Sequence, residues 1–487
     1  MKKKDGKVVV KLKKEYLSSE KKFLKYKAII CVLSVFLGVS FVFVVLLSFR
    51  VSNYASSSAA SASSKIATIK DYFMNNWLYG NNYEDLDKTL DEKMFYGMSQ
   101  FDEDPYTTYM SPVEMGDFSS SINKIQLGIG VSYYSEYNGY PLIREVYLHS
   151  GAYDAGMKKD DHIISIDGYD AYNISSEKIK ELVLGDEHTF VNIVVERNGE
   201  KISLNCERKE FDSTANVRLI DDVVFLTISS FGDQTVSLID DLLSEYTAYN
   251  KLVIDVRDNS GGYQTALLEI AGLFLPNDTI VMKELNKNGI TNIFASKYSK
   301  QYNNFDKISI ITNENTASAA EVFAICMKEQ HKNTTLVGTQ TYGKGVVQSN
   351  FYLEDGSYLK ITTSYWTSPN DVSLKDGGII PDILVNLDDA YYINNYAFND
   401  TDVFELNSVS LYVENAQRIL NFLGYDINRF DGYFDNEFSK ALNQFKSSVG
   451  LSQNSKLDKE TYEKILDKFL TSDTDAQVKK ALEVVNG

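Results

Sequence analysis

Histidine, cysteine, proline and tryptophan are scarce, with four, three, six and two copies in 487 residues. Three cysteines are too few for a disulfide scaffold. No Cys-x-x-Cys pair and no His-Glu-x-x-His run occurs, which argues against a structural zinc site or a zincin. Four histidines leave little for histidine-dependent catalysis. Basic residues are outnumbered, 49 Lys and Arg against 67 Asp and Glu for a net charge of −18. The chain therefore lacks the positive surplus of a general nucleic-acid binder. What is present, 44% hydrophobic and 24% charged residues, is ordinary for folded protein. The length exceeds what one core serves, so two to four domains are expected.

The charge is uneven. Residues 1–27 carry 11 Lys against Asp5, Glu15 and Glu20, and residues 28–49 form an uncharged apolar run of 22. That run is long enough to cross a bilayer core of about 30 Å. The basic flank predicts a cytoplasmic tail over 1–27 and a single transmembrane helix over 28–49. A single-pass cell-membrane protein with its C-terminal portion extracellular follows as the expectation. Residues 50–65, rich in Ser and Ala, read as a linker.

Beyond it the pattern changes four times. Residues 66–120 begin with Ile66, Ile69, Phe73 and Trp77 near helical spacing, then pass into DEDPYTTYMSP, where Pro105 and Pro112 break a helix. Residues 121–207 hold short β-rich runs (QLGIGVSYY, HIISID, FVNIVVER) with one helical stretch of Ile179, Leu182 and Val183. Over 208–395 strand-like runs (VVFLTIS, KLVIDVRD, KISIITN, TTLVGT) alternate with helix-like ones, which predicts an α/β core. Over 405–470 three apolar stripes at helical spacing predict three short helices. They are Ala416, Ile419, Leu420 and Leu423; Phe438, Ala441, Leu442 and Phe445; and Tyr462, Ile465, Leu466 and Phe469. Residues 471–487 read as a tail.

Chemistry concentrates in the α/β portion. Ser318 sits where the run KISIITN passes into a helix beginning near Ala319, and a helix N-terminus offers unpaired N–H groups to an oxyanion. By geometry alone, a Ser before a helix is usually a plain helix cap. Lys344 lies between Gly343 and Gly345, which leaves its stem room to enter a cleft. A lysine that deprotonates Ser must be neutral, and partial burial lowers its pKa. In a strand over VVQSNF, Gln348 shares a face with Lys344 and can hold its amine. The turn Asp258-Asn259-Ser260-Gly261-Gly262 lets backbone N–H groups approach a ligand, although taken alone it reads as a bland turn. GTQTYGKG is similar to a phosphate loop, but Gly345 follows Lys344 where Ser or Thr is needed. Cys326 and His331 point apart on one helix.

Together these pieces resemble the carboxyl-terminal processing peptidase (tail-specific protease) family. The resemblance runs from about 66 to 390 through NNWLYGN, GMSQFDEDPYTTYMSP, QLGIGVSYY with HSGAYDAGMKKDDHIISIDG, VIDVRDNSGG, NTASAAEVF, GTQTYGKGVVQ and GGIIPDILV. It implies a serine endopeptidase of Ser-Lys type, with Ser318 as nucleophile, Lys344 as base and Gln348 orienting it. Backbone N–H groups of Ala319 and of Gly261 or Gly262 would form the oxyanion hole. It further implies a PDZ domain over 121–207 that captures substrate C-termini, with Gln126, Leu127, Gly128, Ile129 and Gly130 at the carboxylate-binding loop. The basic residue that many members carry before the Gly ending the PDZ helix is replaced here by Leu184.

Residues 409–470 resemble a small peptidoglycan-binding domain through Gln417-Arg418, Leu423-Gly424-Tyr425 and Phe430-Asp431-Gly432-Tyr433-Phe434. The expected fold class is multidomain: a single transmembrane helix, an N-terminal helical segment, a β-rich PDZ domain, an α/β peptidase core and a C-terminal three-helix domain. The expected partners are protein substrates with free C-termini, peptidoglycan, the membrane through one helix and, by the family resemblance, a second copy in a homodimer, but no nucleic acid. No metal or organic cofactor is implied. The acidic surplus should disfavour acidic substrate tails at low ionic strength. The rival reading is a catalytically silent, wall-associated PDZ scaffold.

Overall fold

A computed structural model describes residues 62–134, 139–374, 377–393, 398–399, 401–470 and 475–487. Two compact units divide the chain at residue 98.

In the first unit residues 62–76 are helical, a 3₁₀ turn covers Gly80–Asn82, and a second helix, Leu86–Ser99, follows. Lys70 bridges Asp87 and Asp91 at 2.7 and 2.8 Å, and Trp77 stacks on Tyr83. No helix among the described residues is long and apolar enough to cross a membrane. The expected fold class is corrected on that point: the described architecture is an α/β fold with a C-terminal helical domain, and it contains no transmembrane helix to support the expected single-pass membrane location. The basic tail and the apolar run 28–49 that prompted them lie outside the described residues.

The second unit is built on three layered regions. The first is a β-rich sheet of Val131–Tyr134, Leu142–Val146, His162–Ile166, Phe190–Arg197 and Glu200–Glu207, with Tyr169–Asp170 at its edge. Ile143, Ile163, Val191, Ile193 and Val195 close its core with Ile179 of the helix Ser176–Val183. At the C-terminal end of that helix the buried Arg208 donates to the carbonyls of Leu182 (2.9 Å) and Val183 (2.7 Å).

The second is a six-stranded sheet in the order Ala215–Ile220, Val223–Ile228, Lys251–Asp255, Lys307–Thr312, Thr334–Gly338 and Ile383–Leu384. Only its first pair is antiparallel. The strands run apolar because both faces are covered. Val224, Leu226, Leu252, Ile254, Ile308 and Ile310 face the helices Thr235–Leu243, Gln264–Phe274 and Ala319–Gln330. The alternate residues Val223, Phe225, Val253 and Ile311 pack on Val478, Ala481 and Val485. These three belong to a helix, Ala476–Asn486, within the segment read from sequence as a tail. Arg257 ties its start down through Asp475 (2.7 Å) and Gln477 (3.0 Å), and Gln477 donates to the Val385 carbonyl. An adjoining five-stranded sheet contains Thr108–Met110, Val346–Tyr352, Tyr358–Thr367, Ile280–Asn286 and Thr291–Ala295.

The third region is helical: Leu411–Phe422, Asn436–Ser448 and Lys459–Leu470. Ala416, Ile419, Leu420, Phe438, Ala441, Leu442, Phe445, Tyr462, Ile465 and Phe469 form its core, with Leu423 and Leu466 at the margin.

Candidate active site

Parallel strands deliver their C-terminal ends to one edge of a sheet, where loops gather. Two such loops meet here. After the strand Lys307–Thr312, the Thr316 hydroxyl donates to the Val256 carbonyl (2.9 Å) and the Ala317 N–H donates to the Asn259 carbonyl (2.9 Å). Pinned on both sides, Ser318 enters the helix Ala319–Gln330 at φ 56°, ψ −121°. A residue with a Cβ adopts that backbone only when its surroundings enforce it.

The second loop is the turn after Lys251–Asp255. Asn259, fully buried, donates to the Ile228 carbonyl (2.8 Å) and accepts the Gly261 N–H (2.8 Å). Gly261 sits at φ +106°, where a Cβ would lie 2.9 Å from the Ser318 Cβ and 3.0 Å from the Ala319 nitrogen. Only glycine lets the turn press this closely on Ser318. The Gly261 N–H is thus committed inside the turn. The N–H groups of Gly262 and Ala319 have no acceptor among the described residues, so two of the three expected donors are open.

Lys344 arrives from the other sheet, just ahead of the strand Val346–Tyr352. Its backbone is fixed by Glu321, whose fully buried carboxylate accepts from the N–H groups of Ser318 (2.9 Å), Gly343 (2.8 Å) and Lys344 (2.9 Å) and from the Thr341 hydroxyl (2.5 Å). One side chain therefore joins the Ser318 turn to the Lys344 loop. The Trp366 indole donates to the Lys344 carbonyl at 2.8 Å. The Lys344 ammonium lies 4.8 Å from the centre of the Tyr106 ring. Burial, then repulsion from Lys360, pulls its pKa from 10.5 down to about 8, with Glu321 opposing. Gln348 has a buried Nε2 with no hydrogen-bond partner among the described residues. Its strand slips register against Tyr358–Thr367 at this point, Val347 facing Ser364 and Gln348 facing Thr362. Such a bulge re-aims side chains beside it.

Ser318, Ala319, Gly261, Gly262, Lys344 and Gln348 all line one cavity of about 610 Å³. The structure brings these six together. Gln126, Leu127, Gly128, Ile129 and Gly130 do not line it. Gln126 to Gly128 lie in the strand Ile125–Gly128, paired with Lys209–Asp212, and Ile129 and Gly130 are buried beyond it. No group of three His, Cys, Asp or Glu side chains among the described residues is placed to hold a metal.

Sequence reasoning missed three contributors. Glu321 carried a signal, since Ser-x-x-Glu at a helix start is a capping pattern. Tyr106 and Lys360 carried none, because only the fold brings them to Lys344. Asp104 anchors the Tyr106 loop by accepting from the Tyr106 and Thr107 N–H groups and from the Thr362 hydroxyl.

A hydroxyl at a helix N-terminus, a lysine with a pKa of about 8 and two open N–H donors in one cavity are the parts a covalent acyl transfer needs. The family model for peptidase family S41 matches residues 222–385. Carboxy-terminal processing protease CtpB of Bacillus subtilis is 30% identical over 403 residues, 79% of this chain and 82% of that protein. The chain belongs to peptidase family S41. Carboxy-terminal processing protease CtpA of the same organism is 27% identical over 410 residues, 82% of this chain and 86% of that protein. This S41 chain is a serine protease of the C-terminal processing type. A peptidoglycan binding domain model matches its residues 411–465, the three-helix region.

Proposed function

We propose that this chain cleaves protein substrates by a Ser-Lys mechanism. Neutral Lys344 takes the proton from the Ser318 hydroxyl as its oxygen attacks the scissile carbonyl carbon. The oxyanion of the tetrahedral intermediate accepts from the N–H groups of Gly262 and Ala319. Collapse breaks the C–N bond, and the leaving amine takes the proton from Lys344. Lys344 then takes a proton from a water that attacks the acyl ester, and returns it to the Ser318 oxygen as the ester C–O bond breaks. Gln348 holds the Lys344 amine towards Ser318. The observation that carries this reading is the convergence on one cavity of Ser318, the depressed Lys344 and the two open donors.

In this reading residues 121–207 act as a PDZ domain that captures a substrate C-terminus near Gln126 to Gly130. Residues 208–395 form the peptidase core, and residues 405–470 engage peptidoglycan and hold the enzyme at the cell wall. The test incubates the parent, Ser318→Ala and Lys344→Ala with an unfolded protein ending in a free apolar tail or the same tail amidated. Cleavage by the parent alone, faster with the free tail, supports the mechanism and the capture. Undiminished cleavage by Ser318→Ala would sink the site. Binding of the free tail without cleavage by the parent would favour a silent scaffold.

A further inference from the structure

In a chain with 67 acidic and 49 basic residues, the active cavity inverts the balance. Among the described residues its walls carry three lysines, Lys124, Lys344 and Lys360, and no Asp, Glu, Arg or His. None of the three forms an ion pair among the described residues. Lys124 donates to the Ser229 carbonyl at 2.8 Å, and Lys344 is assigned above to proton transfer. Lys360 has no such commitment. It sits on the strand Tyr358–Thr367 between Thr108 and Asn350, and its ammonium lies 4.7 Å from the centre of the Phe118 ring. Ser349 and Asn350 line the same wall.

A half-buried cation flanked by a ring and by a second lysine, Lys344, lacks the counter-charge that burial normally demands. Burial also lowers the Lys360 pKa, as expected of an ammonium without an anion beside it. A carboxylate entering the cavity would supply that charge, and charge-assisted hydrogen bonds are among the stronger polar contacts.

Resting on the Ser318 site reading, we propose that the cleft carries a carboxylate subsite at Lys360, so that the enzyme prefers substrates presenting a carboxylate within a few residues of the scissile bond. The carboxylate comes from an Asp or Glu side chain or from the substrate's own C-terminus. This local preference runs against the long-range repulsion expected of the acidic surplus.

The test uses the full chain and quenched peptides of one apolar sequence. In one arm Asp or its isostere Asn is scanned through the positions flanking the cleaved bond, with the C-terminus amidated. In the other arm the apolar peptide carries a free or an amidated C-terminus. The parent should cleave the Asp peptide about tenfold better than the Asn peptide at one position, or the free acid that much better than the amide. The two arms tell which source the subsite reads. Lys360→Gln should reduce the ratio to within about twofold, and Lys360→Glu should reverse it. Rising salt should erode the parent's ratio, a readout that survives if the Lys360 variants fold poorly. Affinities of Ser318→Ala for the same peptides read the subsite without turnover.

A parent ratio near one at every position in both arms, or a ratio unchanged in folded Lys360→Gln, would overturn the subsite while leaving Ser318 chemistry standing. Cleavage by Ser318→Ala would instead overturn the site on which the inference rests.

Discussion

Two regions of this molecule bury lysines, and they do it in opposite ways. In the C-terminal helical domain Lys446 is 2% exposed, and its ammonium donates to the Asn454 side chain (2.5 Å) and the Lys456 carbonyl (2.7 Å), with Asp458 at 4.0 Å. Burial lowers its pKa while Asp458 and Glu460 pull it back. In the cleft, Lys344 and Lys360 face aromatic rings and form no ion pair among the described residues. The first lysine spends its hydrogen-bonding capacity on the fold, as does the buried Gln417 of the same domain, which donates to the Tyr433 carbonyl and accepts the Gly432 N–H. The cleft leaves the Gly262 and Ala319 N–H groups, the Lys344 and Lys360 amines and the Gln348 Nε2 without hydrogen-bond partners among the described residues. A buried polar group that the fold satisfies supports stability; one that it leaves open is available to a substrate.

The contrast breaks most sharply at Ser318. Ser318→Ala or Lys344→Ala should lower kcat/KM by about 10⁴-fold with little change in thermal unfolding, since neither hydroxyl nor amine holds the fold. A parallel loss of Tm would mean the two residues are structural after all. Gly261→Ala comes next. Its Cβ would crowd the Ser318 Cβ at 2.9 Å in a backbone region that favours glycine, so a loss of about 10²-fold in kcat is expected from displaced oxyanion geometry. Kinetics on a short peptide would check it.

Lys446→Met should do the reverse. It strands two acceptors and should destabilise the helical domain by about 1–3 kcal/mol in denaturant unfolding, while peptide cleavage stays within about twofold of the parent because the site is elsewhere. The smallest effect is the most discriminating. Gln348→Leu removes a buried amide whose Nε2 has no partner, so stability should hold or rise while kcat falls by about tenfold. A Gln348→Leu chain that is less stable and fully active would assign Gln348 to packing.

The regions also differ in how much of them was readable. Helical spacing alone located the three-helix core, because Ala416, Phe438 and Tyr462 and their periodic neighbours are buried together. Apolar runs such as KLVIDV and KISIIT announced buried strands for the same reason. Ser318 and Lys344 were legible as a motif, and Gly261 and Gly262 as a glycine pair. Which glycine keeps an open N–H was not, because that depends on the Asn259 side chain folding back on Gly261. Lys360, Tyr106 and the Trp366 bond to Lys344 arise from strand pairing across distant residues, which no local pattern encodes. The helix Ala476–Asn486 was read as a tail, since Val478, Ala481 and Val485 make a thin stripe whose partner strand Lys307–Thr312 lies far back in sequence.

The most direct single measurement is the rate at which a serine-directed fluorophosphonate labels Ser318 across pH. In the proposed mechanism only the neutral amine accepts the serine proton, so a Lys344 held at about 8 instead of 10.5 would set where reactivity appears. Labelling should climb as pH rises through about 8, level off above it, and disappear in Lys344→Met. A rate indifferent to pH, a climb centred near the ordinary lysine value, or label recovered on another residue would contradict the account.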